Sequence, residues 1–259
     1  MDMKIKARFL GMWGEHFTGA EPPLAWYYTD EAGRGESPGP GTGSHCLICA
    51  LSAARNGTPL SFSARDVLCG GGKRYLGFTD RLRPKFEYFL SCGIPGEMEG
   101  ERYKKSPKLV TEYLRHHPSF KAPRTFIVFK RWDTLDAADE PQAVVFFSPP
   151  DVLSGLYTLA NFDESDPNGV IAPMGAGCAS IVYFPYRELH SPWPRAVLGM
   201  FDVSARPCVS PHEFTFTVPW PKFLRMLDNA EESFLRTGSW EKVRARITGN
   251  RPAEHHGRP

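Results

Sequence analysis

Two short stretches concentrate the chemistry of this sequence: SHCLICALSAA, with Cys46 and Cys49, and VLCGGGKRYLGF, with Cys69. A third, APMGAGCASIVYF, carries Cys178. Thiolates are soft, charged donors that suit zinc, iron and iron–sulfur clusters. Cys46 and Cys49 form a C-x-x-C pair. At that spacing both fall on one face of a helix start, where the helix dipole favours thiolate. Glycines beside a ligating cysteine let backbone N–H groups approach sulfur. Gly70 and Gly71 after Cys69, and Gly177 before Cys178, stand in such positions. A second C-x-x-C, which would make a zinc ribbon, is absent. A disulfide switch at Cys46 and Cys49 is the redox reading of the same pair. The long Gly/Pro loop before it, and the apolar Leu47 and Ile48 inside it, fit a thioredoxin-like site poorly. The remaining alternative makes the cysteines ordinary small core residues.

Other chemistries find less support. CGGGKRYLG lacks the spacing and the Ser/Thr of a phosphate-binding loop. MGAGCAS has two glycines of a dinucleotide fingerprint, but Ser180 stands at its third position. No G-x-S-x-G elbow occurs. Asp202 and Arg206 in FDVSAR read as an ion pair at a strand end. Cys92 and Cys208 read as structural, with Cys208 a reserve ligand. His255 and His256 belong to a polar tail, 249–259, that reads as disordered.

The elements that must position these residues follow from periodicity and breakers. Residues 1–18 read as a helix and PLAWYYTD as a strand, followed by a Gly/Pro/Ser loop over 31–45. CLICALSAARNG reads as a helix with Ser44 as its N-cap and Gly57 as its stop. PLSFS is a strand, and Gly70–Gly72 read as a turn. SPKLVTEYLRHH is a helix; TFIVFKRW and AVVFFSPP are strands. PDVLSGLYTLANF is a helix capped by Asp151, and Cys178 opens a later one. RAVLGMFDVSAR and EFTFTVPW are strands, and PKFLRMLDNAEESFLR is an amphipathic helix. The order predicts an α/β or α+β protein, a mixed β-sheet with packed helices, in a single domain over 1–248. The two halves echo each other, each with a strand, a loop, a cysteine at a helix start, then another strand. Pseudo-symmetric halves would bring Cys46 and Cys178 face to face.

Composition narrows the setting. The chain has 259 residues, 31 Lys and Arg against 29 Asp and Glu, and no stretch long and apolar enough to span a bilayer. Near-neutral charge with scattered basic residues argues against nucleic acid. No apolar leader opens the chain. The reading is a cytoplasmic protein, where a reducing environment disfavours a disulfide framework.

Three stretches together, CGGGKRYLGF, APMGAGCASIVYFPY and FDVSARP…EFTFTVPW…ESFL, resemble the DUF169 family of archaea and anaerobic bacteria. The resemblance runs from about Leu10 to about Trp240. It implies cysteines at the first helix start (Cys46), before a Gly turn and a Leu-Gly pair (Cys69, Leu76, Gly77), and at a later helix start (Cys178). It also implies a fourth cysteine in a C-x-G-x-R stretch, where this chain has Asp202 and keeps Arg206. The resemblance raises the weight of an iron–sulfur or other thiolate metal centre, with zinc as the alternative metal. Its ligands would be Cys46, Cys69 and Cys178, with Cys49 or Asp202 as a fourth. A redox or accessory role in anaerobic metabolism, with an electron-transfer partner protein, is the corresponding expectation. The rival is a metal-free small-molecule-binding protein with its pocket at MGAGCAS and the 31–45 loop. The discriminator is whether the Cys46, Cys69 and Cys178 sulfurs converge.

Overall fold

The computed structural model describes residues 1–38, 46–67 and 69–249. Ser44, part of the 31–45 loop and the tail with His255 and His256 lie outside them. Among the described residues, seven strands form one mixed sheet in the order β2-β3-β1-β4-β7-β6-β5. These are β1 (Leu24–Thr29), β2 (Leu60–Phe62), β3 (Phe126–Arg131), β4 (Ala143–Ser148), β5 (Val170–Ile171), β6 (Ala196–Gly199) and β7 (Phe214–Pro219). β5 and β6 run parallel, and the other pairs run antiparallel. The expected mixed sheet with packed helices is therefore present. LAWYY and AVVFF are apolar without alternation because both faces of β1 and β4 are covered.

One layer contains α1 (Met3–His16), α6 (Pro150–Ala160), α8 (Trp220–Asn229) and α9 (Gly238–Ile247). Its core joins Phe9, Trp13, Leu156, Phe223 and Trp240 to Ala25, Val144 and Phe146 of the sheet. The opposite layer contains α2 (Leu47–Arg55), α3 (Gly70–Tyr75), a π-helical turn (Ala179–Tyr183) and α7 (Phe184–Leu189). There Leu47, Ile48 and Leu51 share a core with Cys178, Ile181 and Val182, over Trp26, Val145 and Phe147. Two short helices, α4 (Phe86–Phe89) and α5 (Pro107–His116), lie between β2 and β3 in the chain.

The strand register repeats within the molecule. In each half the first residue of the first strand faces the last residue of the last strand: Leu24 with Arg131, and Ala143 with Pro219. The next amide then closes the ladder in the same way, Trp132 N–H to the Pro23 carbonyl and Trp220 N–H to the Gln142 carbonyl. Leu60 faces Phe129 as Val197 faces Thr217. Each outer edge carries a parallel pairing at an equivalent place, Glu36 with Leu60 and Ile171 with Val197. The halves meet antiparallel across Ala25 and Val144. This amounts to a pseudo-twofold axis perpendicular to the sheet, which leaves equivalent helices on the same face. The sequence echo has this strand plan beneath it, although the residues themselves differ.

Several local expectations change. Gly70–Gly72 are not a turn; they begin α3. The α6 N-cap is Pro149, with Asp151 in its first turn. β6 stops at Gly199, so FDVSAR is not strand. The amphipathic helix ends at Asn229 and continues as two short 3-10 turns.

His16 is buried, and neither ring nitrogen has a hydrogen-bond partner. Burial is the main cause that lowers its pKa from 6.5, opposed by nearby Glu15. The folded protein thus binds the proton less well than the unfolded chain. Stability should fall as pH drops below about 6.5, until the folded group itself titrates. We expect His16→Leu to flatten the melting-temperature profile between pH 7 and pH 5, measured by thermal unfolding.

Candidate functional site

Three helical segments on the second face begin with a cysteine. Cys46 immediately precedes α2, Cys69 precedes α3, and Cys178 precedes the π-helical turn. Glycines let these starts meet. A Cβ added at Gly72 would lie 3.9 Å from the Leu47 Cβ and 2.9 Å from Val67. A Cβ at Gly177 would lie 3.2 Å from Ile48 Cγ1, 3.2 Å from the Ala205 Cβ and 2.8 Å from the Met200 sulfur. So α3 abuts the first residue of α2, and the Cys178 turn abuts the second.

Strand β1 ties down two of the three segments, one inside the π-helical turn and one at the far end of α3. The Trp26 indole N–H donates to the Ile181 carbonyl at 2.9 Å, inside the π-helical turn. A π-turn displaces carbonyls from the usual helical ladder, and a buried indole needs an acceptor; each satisfies the other. The Tyr28 hydroxyl donates to the Leu76 carbonyl at the end of α3, also at 2.9 Å. Gly199 leaves space for Ser180, whose hydroxyl donates to the Gly177 carbonyl.

Cys178 is buried, and burial is the main cause pushing its thiol well above the usual range. Cys69, Cys46 and Asp202 all lie close enough for their charge to push it in the same direction. Asp202 is held in place by four donors. Its Oδ1 accepts from the Ser204 hydroxyl at 2.8 Å, the Ser204 amide at 3.1 Å and the Tyr103 hydroxyl at 3.3 Å. Its Oδ2 accepts from the Gly177 amide at 3.1 Å. The expected Asp202–Arg206 pair does not form. Arg206 donates instead to the carbonyls of Ser210, Pro211 and Glu213, because its long side chain reaches across the loop that leads into β7.

The other cysteines depart from expectation. Cys49 is bonded to Cys208 as a disulfide rather than to Cys46, so the expected Cys46–Cys49 pairing is not the one present. Cys208, read as structural, is structural through a disulfide, the bond a reducing setting is expected to disfavour. The fold carries the turn after β6 over the first turn of α2, a proximity that a separation of 159 residues conceals. The Cys46 sulfur lies with those of Cys49 and Cys208, all within 4.8 Å of one another. Cys69 and Cys178 are not in that triplet. Cys92 is exposed.

These donors can be tested against a metal. Four thiolates around zinc at about 2.3 Å place their sulfurs roughly 3.8 Å apart. The Cys46, Cys49 and Cys208 sulfurs, all within 4.8 Å of one another, could hold a metal ion only once the Cys49–Cys208 disulfide is reduced and its two sulfurs move apart. Among the described residues Cys46, Cys69 and Cys178 do not bring their sulfurs within 4.8 Å of one another, so they do not converge at single-ion spacing. Cys46, Cys69 and Asp202 are nevertheless near enough to influence the Cys178 thiol, and the Asp202 Oδ2 accepts from the Gly177 amide. Of the glycines, Gly177 gives its amide to Asp202 rather than to sulfur. A Cβ at Gly71 would make an ordinary 3.7 Å contact with the Cys69 sulfur, and one at Gly70 would meet nothing.

The family model of DUF169, described as "Uncharacterised ArCR", matches residues 16–229. The chain belongs to the DUF169 family. Neither a curated protein nor a solved structure matches it. Three of the cysteines placed by resemblance to DUF169, Cys46, Cys69 and Cys178, are those at the helix starts. The Cys49–Cys208 pair has no counterpart in that expected pattern; its one sequence signal was the C-x-x-C spacing.

Two further places could have carried the function. Asp139 is fully buried and accepts from Tyr27, Lys130, Arg34 and the Asp136 amide. Burial opposes its ionisation, but these donors outweigh that and keep its pKa low. The network is satisfied internally and ties β1 to β3, a structural role. A cavity of ≈ 460 Å³ lies among Glu21, Phe147, Asp151, Glu213 and Arg246. That is away from the MGAGCAS turn, where the small-molecule reading placed its pocket. No described helix is long and apolar enough to cross a membrane.

Gly177→Ala should therefore be destabilising by about 1–3 kcal/mol, because the added methyl must displace Met200, Ala205 or Ile48. Gly70→Ala, which meets open space, should be neutral or slightly stabilising. Urea unfolding of both variants measures the difference.

Proposed function

We propose that this DUF169 chain is a thiolate metal-binding protein whose centre is an iron–sulfur cluster, serving a redox or accessory role in anaerobic metabolism. Cys46, Cys69 and Cys178 would hold it, with Asp202 Oδ2 as the fourth donor. What supports this reading is that α3 abuts Leu47 and the Cys178 turn abuts Ile48, with Cys46, Cys69 and Asp202 near enough for their charge to act on the buried Cys178. The three sulfurs stand wider than single-ion spacing, which favours a cluster over one ion. A buried thiol crowded by two further sulfurs and a carboxylate is poorly placed to ionise alone. A cation reverses that, since the same crowding becomes its coordination shell. Partial burial of the group fits an electron-transfer role, and an electron partner would approach from the side of Cys46 and Cys69, both half-buried. When bound, such a cluster supplies one-electron chemistry. The residues around it orient the sulfurs: Trp26 and Tyr28 through carbonyls, Gly177 through close approach. Asp202 stands about where the resemblance to DUF169 implies a fourth cysteine, and an oxygen donor there would keep one exchangeable site.

Zinc is the second reading, favoured by the Cys46, Cys49 and Cys208 spacing. The test is metal and acid-labile sulfide content, with a visible spectrum, on full-length protein purified without oxygen. We expect iron with sulfide, lost in Cys69→Ala and in Cys178→Ala and retained in Cys92→Ala. Zinc alone, lost in Cys49→Ala or Cys208→Ala but not in Cys178→Ala, would overturn the cluster in favour of the triplet. Absence of metal after reconstitution would overturn both.

A further inference from the structure

The Cys49–Cys208 disulfide joins the first turn of α2 to the turn after β6. Cys46 heads the same helix, with its sulfur within 4.8 Å of both bonded sulfurs. All three residues are half-buried, so solvent and small thiols can reach them. A thiolate whose sulfur lies within 4.8 Å of both sulfurs of a disulfide can act as an intramolecular nucleophile.

We propose that Cys46, Cys49 and Cys208 form a thiol–disulfide exchange triad, and that the position of the disulfide decides whether Cys46 is available to the metal centre. This rests on the reading of Cys46 as a ligand of that centre. In the exchange the Cys46 thiolate attacks the Cys49 sulfur. The Cys46–Cys49 bond forms and the Cys49–Cys208 bond breaks. The electron pair leaves on the Cys208 sulfur, which takes up the proton that Cys46 released. Sulfur is neither oxidised nor reduced overall, so no external redox partner is required. Cys49 is the sulfur attacked because helical spacing keeps it beside Cys46. Cys208, on a short 3-10 turn in a loop, is the sulfur able to leave.

With the disulfide at Cys49–Cys208, Cys46 can join Cys69 and Cys178. With it at Cys46–Cys49, the centre loses one of its three sulfurs. Metal and exchange therefore compete for one side chain.

The test uses the full-length chain equilibrated with oxidised dithiothreitol, acid-quenched, alkylated and mapped by mass spectrometry. We expect two species: Cys49–Cys208 with Cys46 alkylated, and Cys46–Cys49 with Cys208 alkylated. Cys46→Ser should leave only the first and Cys208→Ser only the second. Added Zn²⁺ should cause loss of most of the Cys46–Cys49 species. Finding only Cys49–Cys208, or no disulfide at all, would overturn the exchange. A species ratio that ignores Zn²⁺ would overturn its control of the centre. Zn²⁺ bound by Cys49→Ser, measured in parallel, reports on the metal site with the exchange removed, so the two readings fail separately.

Discussion

The antiparallel contact of β1 with β4 is the constraint on which the rest of the structure depends. It sets the pseudo-twofold relation between the halves, and an axis perpendicular to a sheet keeps equivalent helices on one face. The helices led by Cys46 and Cys178 consequently share a core above the same strands. The Trp132 and Trp220 rings, stacked at 6.2 Å on the other face, occupy equivalent positions in the two ladders.

Onto that frame the chain places groups that would each be costly alone. Cys178 is a buried thiol, and the buried Ile181 carbonyl accepts from the buried Trp26 indole. Gly177 and Gly72 give up side-chain packing so that helix starts can touch. Local choices that cost stability yet agree on one place are the usual mark of a functional site. The buried Lys130–Asp139 network differs in kind: its polar groups are closed on one another and point to no ligand.

Much of the architecture was legible in the sequence. The apolar strands β1, β3, β4 and β7 and the helices α2, α5 and α6 announced themselves by pattern and breakers, and so did the cysteine that heads the first of these helices. The glycines misled in part. GGGK reads as a turn by propensity, yet packing against Val67 and Leu47 needs small residues and holds it in a helix. FDVSAR has strand-like apolar residues, but β6 ends at Gly199 and the chain turns to let Asp202 meet the Gly177 amide. The Cys49–Cys208 bond was not legible because it depends on a helix start meeting a turn 159 residues away in sequence. The register repeat was equally hidden, since hydrogen-bond partners can coincide where residues do not.

X-ray absorption at the metal edge, on the full-length protein purified without oxygen, tests the central claim most directly. The account predicts an iron shell dominated by sulfur, with one light oxygen-type neighbour that Asp202→Cys replaces by sulfur. A shell of nitrogen and oxygen alone, or protein that takes up no metal under any reducing condition, would contradict it.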